Sequence, residues 1–140
     1  HRTLLAYIGM RIWLDHPVAG VGWQASSEDW AYEPYLRDAR ERFPDEPDQA
    51  FPSPAHRWGV QNLYLQVLAD TGVIGFAALV ALFAAAIRAA ARGARGSPVP
   101  VVGLAWLLVA AGVWAGIGLV PGIPLDALTW LALGLVTVRG

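Results

Sequence analysis

The stretch QNLYLQVLADTGVIGFAALVALFAAAIRAAA, residues 61–91, decides the fold class because its two parts have opposite character. Polar side chains continue as far as Asp70, and from Val73 to Ala91 the single charge is Arg88. At about 1.5 Å per residue, this apolar part covers roughly the 30 Å of membrane hydrocarbon, and the stem of Arg88 can carry its charge to the surface. The stretch therefore predicts a spanning helix with polar groups at its mouth.

Two more apolar segments follow in the C-terminal half. Residues 99–120 contain no charge and predict a second spanning helix. Residues 125–138 begin beside Asp126, and this shorter segment fits a tilted span or an interfacial or buried helix; we assign it as a span. We therefore expect an all-α integral membrane chain with two to three transmembrane helices, at 73–91, 99–120 and 125–138.

The distribution of arginine predicts the orientation of these helices. Arg88, Arg92 and Arg95 lie in or beside a short connection that has no acidic residue, which places that connection in the cytoplasm. Residues 1–72 and the PGIP turn at 121–124 then lie outside, and Arg139 lies inside. The chain is thus predicted to be multi-pass, with a large extracytoplasmic loop at 16–72.

The outer region differs in charge from the membrane region. Residues 1–70 hold ten acidic residues against six arginines, whereas residues 71–140 hold one acid and four arginines. Breaks at Pro17, Gly20 and Gly22 divide the outer region into parts. The predicted parts are a juxtamembrane helix at 2–15, a turn at 16–22, a polar loop at 23–58 with a short helix at 35–42, and a helical segment at 59–72.

Composition excludes several classes of function. The chain has no cysteine, three histidines and no carboxylates at metal-ligand spacing, so we expect no metal site and no cofactor. No basic stripe carries interleaved aromatics, so no nucleic-acid partner is expected. The sequence begins with His and has no targeting segment, which we interpret as the C-terminal piece of a longer membrane protein.

The first helix supplies charged candidates for a ligand site. The guanidinium groups of Arg2 and Arg11 suit a diphosphate, which makes lipid-linked pyrophosphates a plausible ligand class. Nine residues apart on a helix, they point in nearly opposite directions, so both cannot reach one ligand. The alternative is that both are solvated or extend to lipid headgroups. His16, at the helix end, is either a C-terminal cap or a proton acceptor.

Polar and aromatic side chains around the membrane mouth supply the rest. The amides of Asn62 and Gln66 share one face of a predicted helix and, with Gln61 and Tyr64, either satisfy one another or line a cavity. Five aromatics of the outer loop form an interface belt or a loop core, with sugar stacking as the alternative. They are Trp23, Trp30, Tyr32, Tyr35 and Trp58.

The order of these features resembles a known family. The motif R…MRIWLDHPVAGVG, a hydrophilic loop and then QNLYLQVLADTGVIGF are similar to the C-terminal half of the O-antigen ligase and O-antigen polymerase family. The resemblance covers residues 2–24 and 59–88, and the later segments agree only as hydrophobic helices. It implies a polytopic C-type glycosyltransferase fold in the bacterial cytoplasmic (inner) membrane, with further helices before residue 1.

The resemblance also implies an activity. Members of the family transfer glycans from undecaprenyl-pyrophosphate donors at the outer membrane face. By position, Arg2 would bind the donor pyrophosphate and stabilise charge on the leaving group. Gln61 and Asn62 complete the implied catalytic set. The implied substrate-binding residues are Arg11, His16, Tyr64 and Gln66.

The sequence departs from the family pattern at Gln61. Ligases of the family usually have His-Asn where this chain has Gln61-Asn62, and that His is thought to deprotonate the acceptor hydroxyl. An amide accepts no proton at neutral pH, although it can orient a hydroxyl. Either His16 or His56 supplies the base, Gln61 only positions the acceptor, or transferase activity is lost.

We therefore predict a membrane glycosyltransferase of cell-envelope polysaccharide biosynthesis. It would transfer or polymerise a lipid-linked saccharide onto a hydroxyl of a glycan, lipid or protein acceptor. The alternatives are a transporter or carrier that binds a lipid-linked sugar without chemistry, and a structural membrane subunit.

Overall fold

The computed structural model describes residues 1–95, 97–117 and 123–137, with side chains from 128 onward in the last range. The secondary structure of these residues consists of helices joined by loops and includes no strand, which confirms the all-α class. The five helices are α1 (Arg2–Asp15), α2 (Asp29–Arg42), α3 (Leu63–Gly93), α4 (Val99–Trp114) and α5 (Ile123–Leu135). Short 3₁₀ turns lie at Ala25–Ser27 and Asp48–Ala50.

The chain divides into two compact units, of which the first contains residues 1–76 and 115–117. Its core is built on α1, which has the predicted bounds and buries one apolar face made of Leu4, Leu5, Ile8 and Ile12. This face packs against α2 and the segment around Phe51. The periodic apolar face of α1 therefore holds the first unit together.

Helix α2 is longer than the predicted helix at 35–42. It ends at Arg42 as expected but begins at Asp29, and Pro34 lies inside it. Burial of Tyr32 and Ala39 against the core offsets the backbone hydrogen bond that Pro34 cannot make. The predicted polar loop at 23–58 thus contains an ordered helix of 14 residues.

Helix α3 contributes residues to both compact units. It begins at Leu63, later than the predicted start at 59, and it contains one break, at Gly72, where φ is 63° and ψ is −162°. Among the described helices it is the one long and apolar enough to cross a membrane. The part after the break, 73–93, is about 31 Å long at 1.5 Å per residue.

The second unit contains residues 77–114 and the described part of α5. Its core combines Ala86, Ala90, Leu107, Ala132 and Val136 from three helices. A Cβ on Gly103 would lie 2.9 Å from the carbonyl oxygen of Ala132, so α4 and α5 approach closely through small residues. Such contacts are typical of helices that associate in lipid.

Two predicted membrane segments differ in length from the helices observed. Helix α4 begins at Val99 as predicted but ends at Trp114, because 115 and 116 form a turn although their sequence is still apolar. Sixteen residues cover about 24 Å, so the helix observed is shorter than the hydrocarbon thickness that the predicted second span would cross. Helix α5 runs from Ile123 to Leu135 instead of 125–138. The predictions for residues 118–122 and Arg139 lie outside the described residues, as do those for the side chains of Pro124 and Asp126.

Candidate functional site

The break at Gly72 leaves backbone groups on both sides without helical partners. A helix end exposes carbonyl groups on its C-terminal side and N–H groups on its N-terminal side. Ala69 and Asp70 provide such carbonyls, and Val73 and Ile74 provide such N–H groups. Buried groups of this kind must find other partners.

The turn at 16–22 supplies those partners. The N–H groups of Val21 and Gly22 donate to the carbonyl oxygens of Ala69 (3.0 Å) and Asp70 (2.7 Å). In return, the carbonyls of Pro17 and Val18 accept from the N–H groups of Val73 (2.9 Å) and Ile74 (3.3 Å). We call this arrangement the interlock. It joins the two sequence motifs on which the family resemblance depends.

Two glycines make the interlock possible. Gly20 has φ of 65°, and a Cβ there would collide with the backbone of Asp70 and Thr71. Gly72 has φ of 63°, and a Cβ there would collide with the backbone of Val18 and Ala19. Both positions therefore need the left-handed backbone and the missing side chain of glycine.

The side chain of Asp70 holds the loop at 24–26 against α3, two residues before the break. Its side chain is fully buried, and its two carboxylate oxygens accept from the N–H groups of Ser26 (3.0 Å) and Gln24 (3.1 Å). The buried side chain of Gln66 donates to it as well. The Gln66 side chain, which the sequence predicts to bind substrate, thus stabilises the buried Asp70 carboxylate.

Asn62 is the N-cap of α3 and lies outside the helix. Its Oδ1 accepts from the N–H of Leu65 (3.0 Å), and its Nδ2 donates to the carbonyl of Ala115 (2.9 Å). This differs from the prediction that Asn62 and Gln66 share a helical face, because Asn62 is the cap and the helix begins one residue after it, at Leu63. Both ends of the Asn62 amide have protein partners.

Gln61 and Tyr64 are the half-buried polar residues next to this cap. No hydrogen bond joins the Gln61 amide to any residue within the described ranges, so it is available to a ligand. Tyr64 makes an interaction within the protein and is half exposed. Of the predicted acceptor-side residues, Gln61 is the one with a free polar group.

The structure separates Arg2 from Arg11, as the helical spacing predicts. Arg2 lies on the α1 face of Gly9, seven residues on, and a Cβ at Gly9 would meet Val60 and Leu65. The ring of His1, beside Arg2, contacts Trp58 with centroids 5.1 Å apart. Arg2 therefore lies on the side of α1 that meets the segment containing Gln61.

Arg11 lies on the other side of α1, near Tyr7 of α1 and Tyr35 of α2. It acts electrostatically on Tyr7 and Tyr35. Tyr35 donates to Asp15 (2.6 Å), and Tyr7 donates to Asp38. The structure thus brings Arg11 to a different surface from Gln61.

The remaining arginines of the first unit have partners. Arg37, Arg40 and Arg57 form ion pairs with carboxylates, and the Arg42 guanidinium lies over the ring of Tyr7. Both Arg2 and Arg11 are exposed, and neither forms an ion pair with a residue that the structure describes. These two guanidiniums are the ones left for an external anion.

Three tyrosines of this unit, Tyr7, Tyr32 and Tyr35, donate hydrogen bonds to carboxylates. Burial, with a hydrogen bond to Asp29, raises the pKa of Tyr32 to about 12. Burial, with a hydrogen bond to Asp15, raises the pKa of Tyr35 to about 12. The hydrogen bond to Asp38 raises the pKa of Tyr7. All three phenols stay protonated at neutral pH.

His16 occupies the C-cap position of α1. Its backbone N–H donates to the carbonyls of Ile12 (3.0 Å) and Trp13 (3.1 Å), and its imidazole is exposed. His16 therefore lies at the helix end, as both sequence alternatives require. His56 lies instead beside Trp58, with ring centroids 6.2 Å apart.

Sequence reasoning missed Asp70 and Gly72 as organising residues. Asp70 was considered only as a polar residue of the membrane mouth, and its backbone partners are 44 and 46 residues away in sequence. The available signal was the Asp-Thr-Gly order, since Gly after a capping-type residue marks a helix break. No potential metal site with three or more ligands occurs among the described residues.

Comparisons with protein-family models, curated proteins and solved structures give no match to this chain.

Proposed function

We propose that this chain forms the ligand-binding part of a glycosyltransferase in the bacterial cytoplasmic membrane. It transfers or polymerises an undecaprenyl-pyrophosphate-linked saccharide onto an acceptor hydroxyl at the outer face, in O-antigen or cell-surface polysaccharide assembly. The observation that carries the proposal is the placement of Arg2: its guanidinium is exposed, has no ion pair among the described residues, and lies on the face of α1 that meets the Gln61 segment.

The surface of α3 supports insertion into a membrane. Only 11% of its most apolar 18-residue stretch is buried, whereas the core helix of a soluble protein would be mostly covered. Large apolar side chains face outward along it, including Ile74 (63% exposed) and Val80 (53% exposed). Water does not favour such a surface, and lipid does.

The proposed reaction assigns a different role to each side of the site. The acceptor oxygen attacks the anomeric carbon of the donor sugar while the bond from that carbon to the pyrophosphate oxygen breaks. Arg2 stabilises the negative charge that develops on the leaving pyrophosphate. Gln61 accepts a hydrogen bond from the acceptor hydroxyl and orients it, and the hydroxyl proton is released to water as the new glycosidic bond forms.

The second candidate function is a carrier that binds a lipid-linked sugar without chemistry. Gln61 favours it, because a carboxamide cannot take up the hydroxyl proton. Under this alternative Arg2 still binds the pyrophosphate, but no glycosidic bond is broken.

The test is transfer of a radiolabelled saccharide from an undecaprenyl-pyrophosphate donor by the full-length protein in proteoliposomes. We expect product from the wild type and about tenfold less from Gln61→Ala, the loss of one positioning hydrogen bond. Gln49→Ala, which removes an exposed glutamine side chain elsewhere in the first unit, is the matched control.

The possible outcomes separate the candidates. Donor binding without product, over a panel of glycan, lipid and protein acceptors, would contradict the transferase and support the carrier. Neither binding nor product would leave only the structural subunit. Equal activity of Gln61→Ala and wild type would remove Gln61 from the acceptor site.

Cysteine accessibility tests the proposed topology. The sequence has no cysteine, so Ala55→Cys, Val80→Cys and Ala94→Cys each give one label site, with any cysteine elsewhere in the full-length protein replaced. A membrane-impermeant maleimide should label position 55 in intact spheroplasts and position 94 only after permeabilisation. Position 80 should stay unlabelled in both because lipid covers it. Labelling of position 94 in intact cells would contradict the orientation.

A further inference from the structure

The loop at 53–58 presents two aromatic rings in a fixed arrangement. Ser53 and His56 exchange backbone hydrogen bonds of 3.0 and 2.9 Å, and the His56 N–H lies 3.2 Å from the Ser53 hydroxyl. The N–H of Trp58 donates to the His56 carbonyl at 2.9 Å. This tight turn holds the side chains of His56 and Trp58 next to each other on the surface.

The indole of Trp58 is oriented although it is exposed. Its Nε1 donates to the carbonyl of Gln49 at 3.0 Å, and 38% of the residue remains accessible. The His56 ring is nearly parallel to it, at 18° and 6.2 Å between centroids, and the His1 ring meets it edge-on at 83°. An exposed aromatic ring is thus bordered by two imidazoles.

These groups match the chemistry of a sugar ring. One face of a pyranose presents polarised C–H groups, which are attracted to the electron-rich face of an indole. The hydroxyl groups around the rim need hydrogen-bond partners, and an imidazole can both donate and accept. An indole that is already oriented loses little conformational entropy when a ligand binds.

The surroundings of the ring add polar groups. Arg57, between the two aromatics, points to Glu28 and forms an ion pair at 3.2 Å. Gln61 follows three residues after Trp58, and its amide has no partner among the described residues. The exposed ring and the free amide therefore lie on one short segment of chain.

We propose that Trp58, with His56 and His1 beside it, is a saccharide-binding platform. The platform binds a pyranose ring of the glycan substrate and leads it toward Gln61. This inference rests on the proposed function, because it assigns the sugar portion of the substrate to a specific surface. It also selects Trp58 from the five loop aromatics, since Tyr32 and Tyr35 pack in the core and Trp23 and Trp30 stand outside this cluster.

Saturation-transfer difference NMR on the full-length protein in nanodiscs tests the platform. The probes are the methyl glycosides of glucose, galactose, rhamnose and N-acetylglucosamine. We expect at least one to bind the wild type, with Trp58→Ala weakening its Kd about tenfold and Trp58→Phe retaining it within about threefold. His56→Ala should weaken it as well. Trp30→Ala, which removes a tryptophan that is 60% exposed elsewhere, is the matched control.

The platform and the transferase can fail separately. If no probe binds the wild type, or if Trp58→Ala and Trp30→Ala bind equally, the platform is overturned whatever the transfer assay shows. If the platform binds sugar as expected but the wild type makes no product, the proposed transfer reaction fails and the platform stands. Unchanged thermal unfolding of Trp58→Phe and His56→Ala would show that these variants fold.

Discussion

Replacement of Arg2 by Ala is expected to lower the transfer rate about 100-fold in the full-length protein. The proposed role of Arg2 is to stabilise charge on the leaving pyrophosphate, and loss of one such donor typically costs a factor of about 10² to 10³. The effect should appear mainly in kcat, because the charge develops in the transition state. The measurement is steady-state transfer of labelled saccharide from the lipid-linked donor.

Arg11→Ala is the matched control for this prediction. Both arginines are exposed on α1 and neither has an ion pair with a described residue, so the two variants lose the same charge from the same helix. Arg11 lies on the opposite face, near Tyr7 and Tyr35, and its loss should lower the rate less than about threefold. Equal losses in both variants would mean that only net charge matters, and the donor site at Arg2 would be wrong.

Arg2→Lys distinguishes a fork-shaped contact from a simple charge. A lysine keeps the charge but cannot bind two phosphate oxygens in a planar geometry. We expect a rate between those of the wild type and Arg2→Ala. A rate equal to that of the wild type would show that charge alone is sufficient at this position.

Gly72→Ala is expected to destabilise the protein by at least about 3 kcal/mol. The left-handed backbone at this position costs an alanine about 1 to 3 kcal/mol, and the added Cβ would also collide with the carbonyl of Val18. Relief of that collision would separate the turn from the helix break and leave the N–H groups of Val73 and Ile74 without acceptors. The measurement is the apparent unfolding midpoint of the purified full-length protein in detergent.

Gly112→Ala is the control, because a Cβ there meets nothing within 4 Å. Gly112 lies inside α4, where alanine is favoured over glycine by roughly 0.5 to 1 kcal/mol, so this variant should be neutral or more stable. Gly20→Ala should resemble Gly72→Ala, and the double variant should cost less than the two single changes combined, since both open the same interlock. A Gly72→Ala variant as stable as Gly112→Ala would contradict the interlock.

Much of the first unit could be predicted from local pattern. Helix α1 has its predicted bounds because an apolar face recurs at helical spacing and Pro17 ends it. The start of α2 was missed because Asp29 to Pro34 looks like polar loop sequence, and only tertiary burial of Tyr32 makes it helical. Local pattern identified the helix that organises the core but not the helix that depends on it.

The ends of α3 and α4 show where hydropathy fails. Apolar sequence continues from Val99 to Val120, yet α4 ends at Trp114, because hydropathy reports the environment of a segment and not its backbone conformation. Likewise Asn62 looked like a helical residue, but its side chain caps the helix instead. The interlock itself joins residues about 50 positions apart, and no local rule relates them.

The free and occupied amides of the site were also beyond sequence reasoning. Gln61 and Asn62 are adjacent and chemically similar, and their side chains alone do not indicate which of them has a partner within the protein. The structure distinguishes them, because Asn62 is used at both ends of its amide and Gln61 has no partner among the described residues. Which of two neighbouring amides serves a ligand depends on contacts with Leu65 and Ala115.

The interlock specifies a path of the backbone and leaves most of its side chains free to change during evolution. All four of its hydrogen bonds join main-chain atoms, and the side chains of Val18 and Ala19 are exposed. Distant relatives should therefore keep two glycines in the turn and an acid two residues before a third glycine, while the residues between them vary. Such relatives would share few identities over these motifs and would be recognised by the spacing of glycine and aspartate.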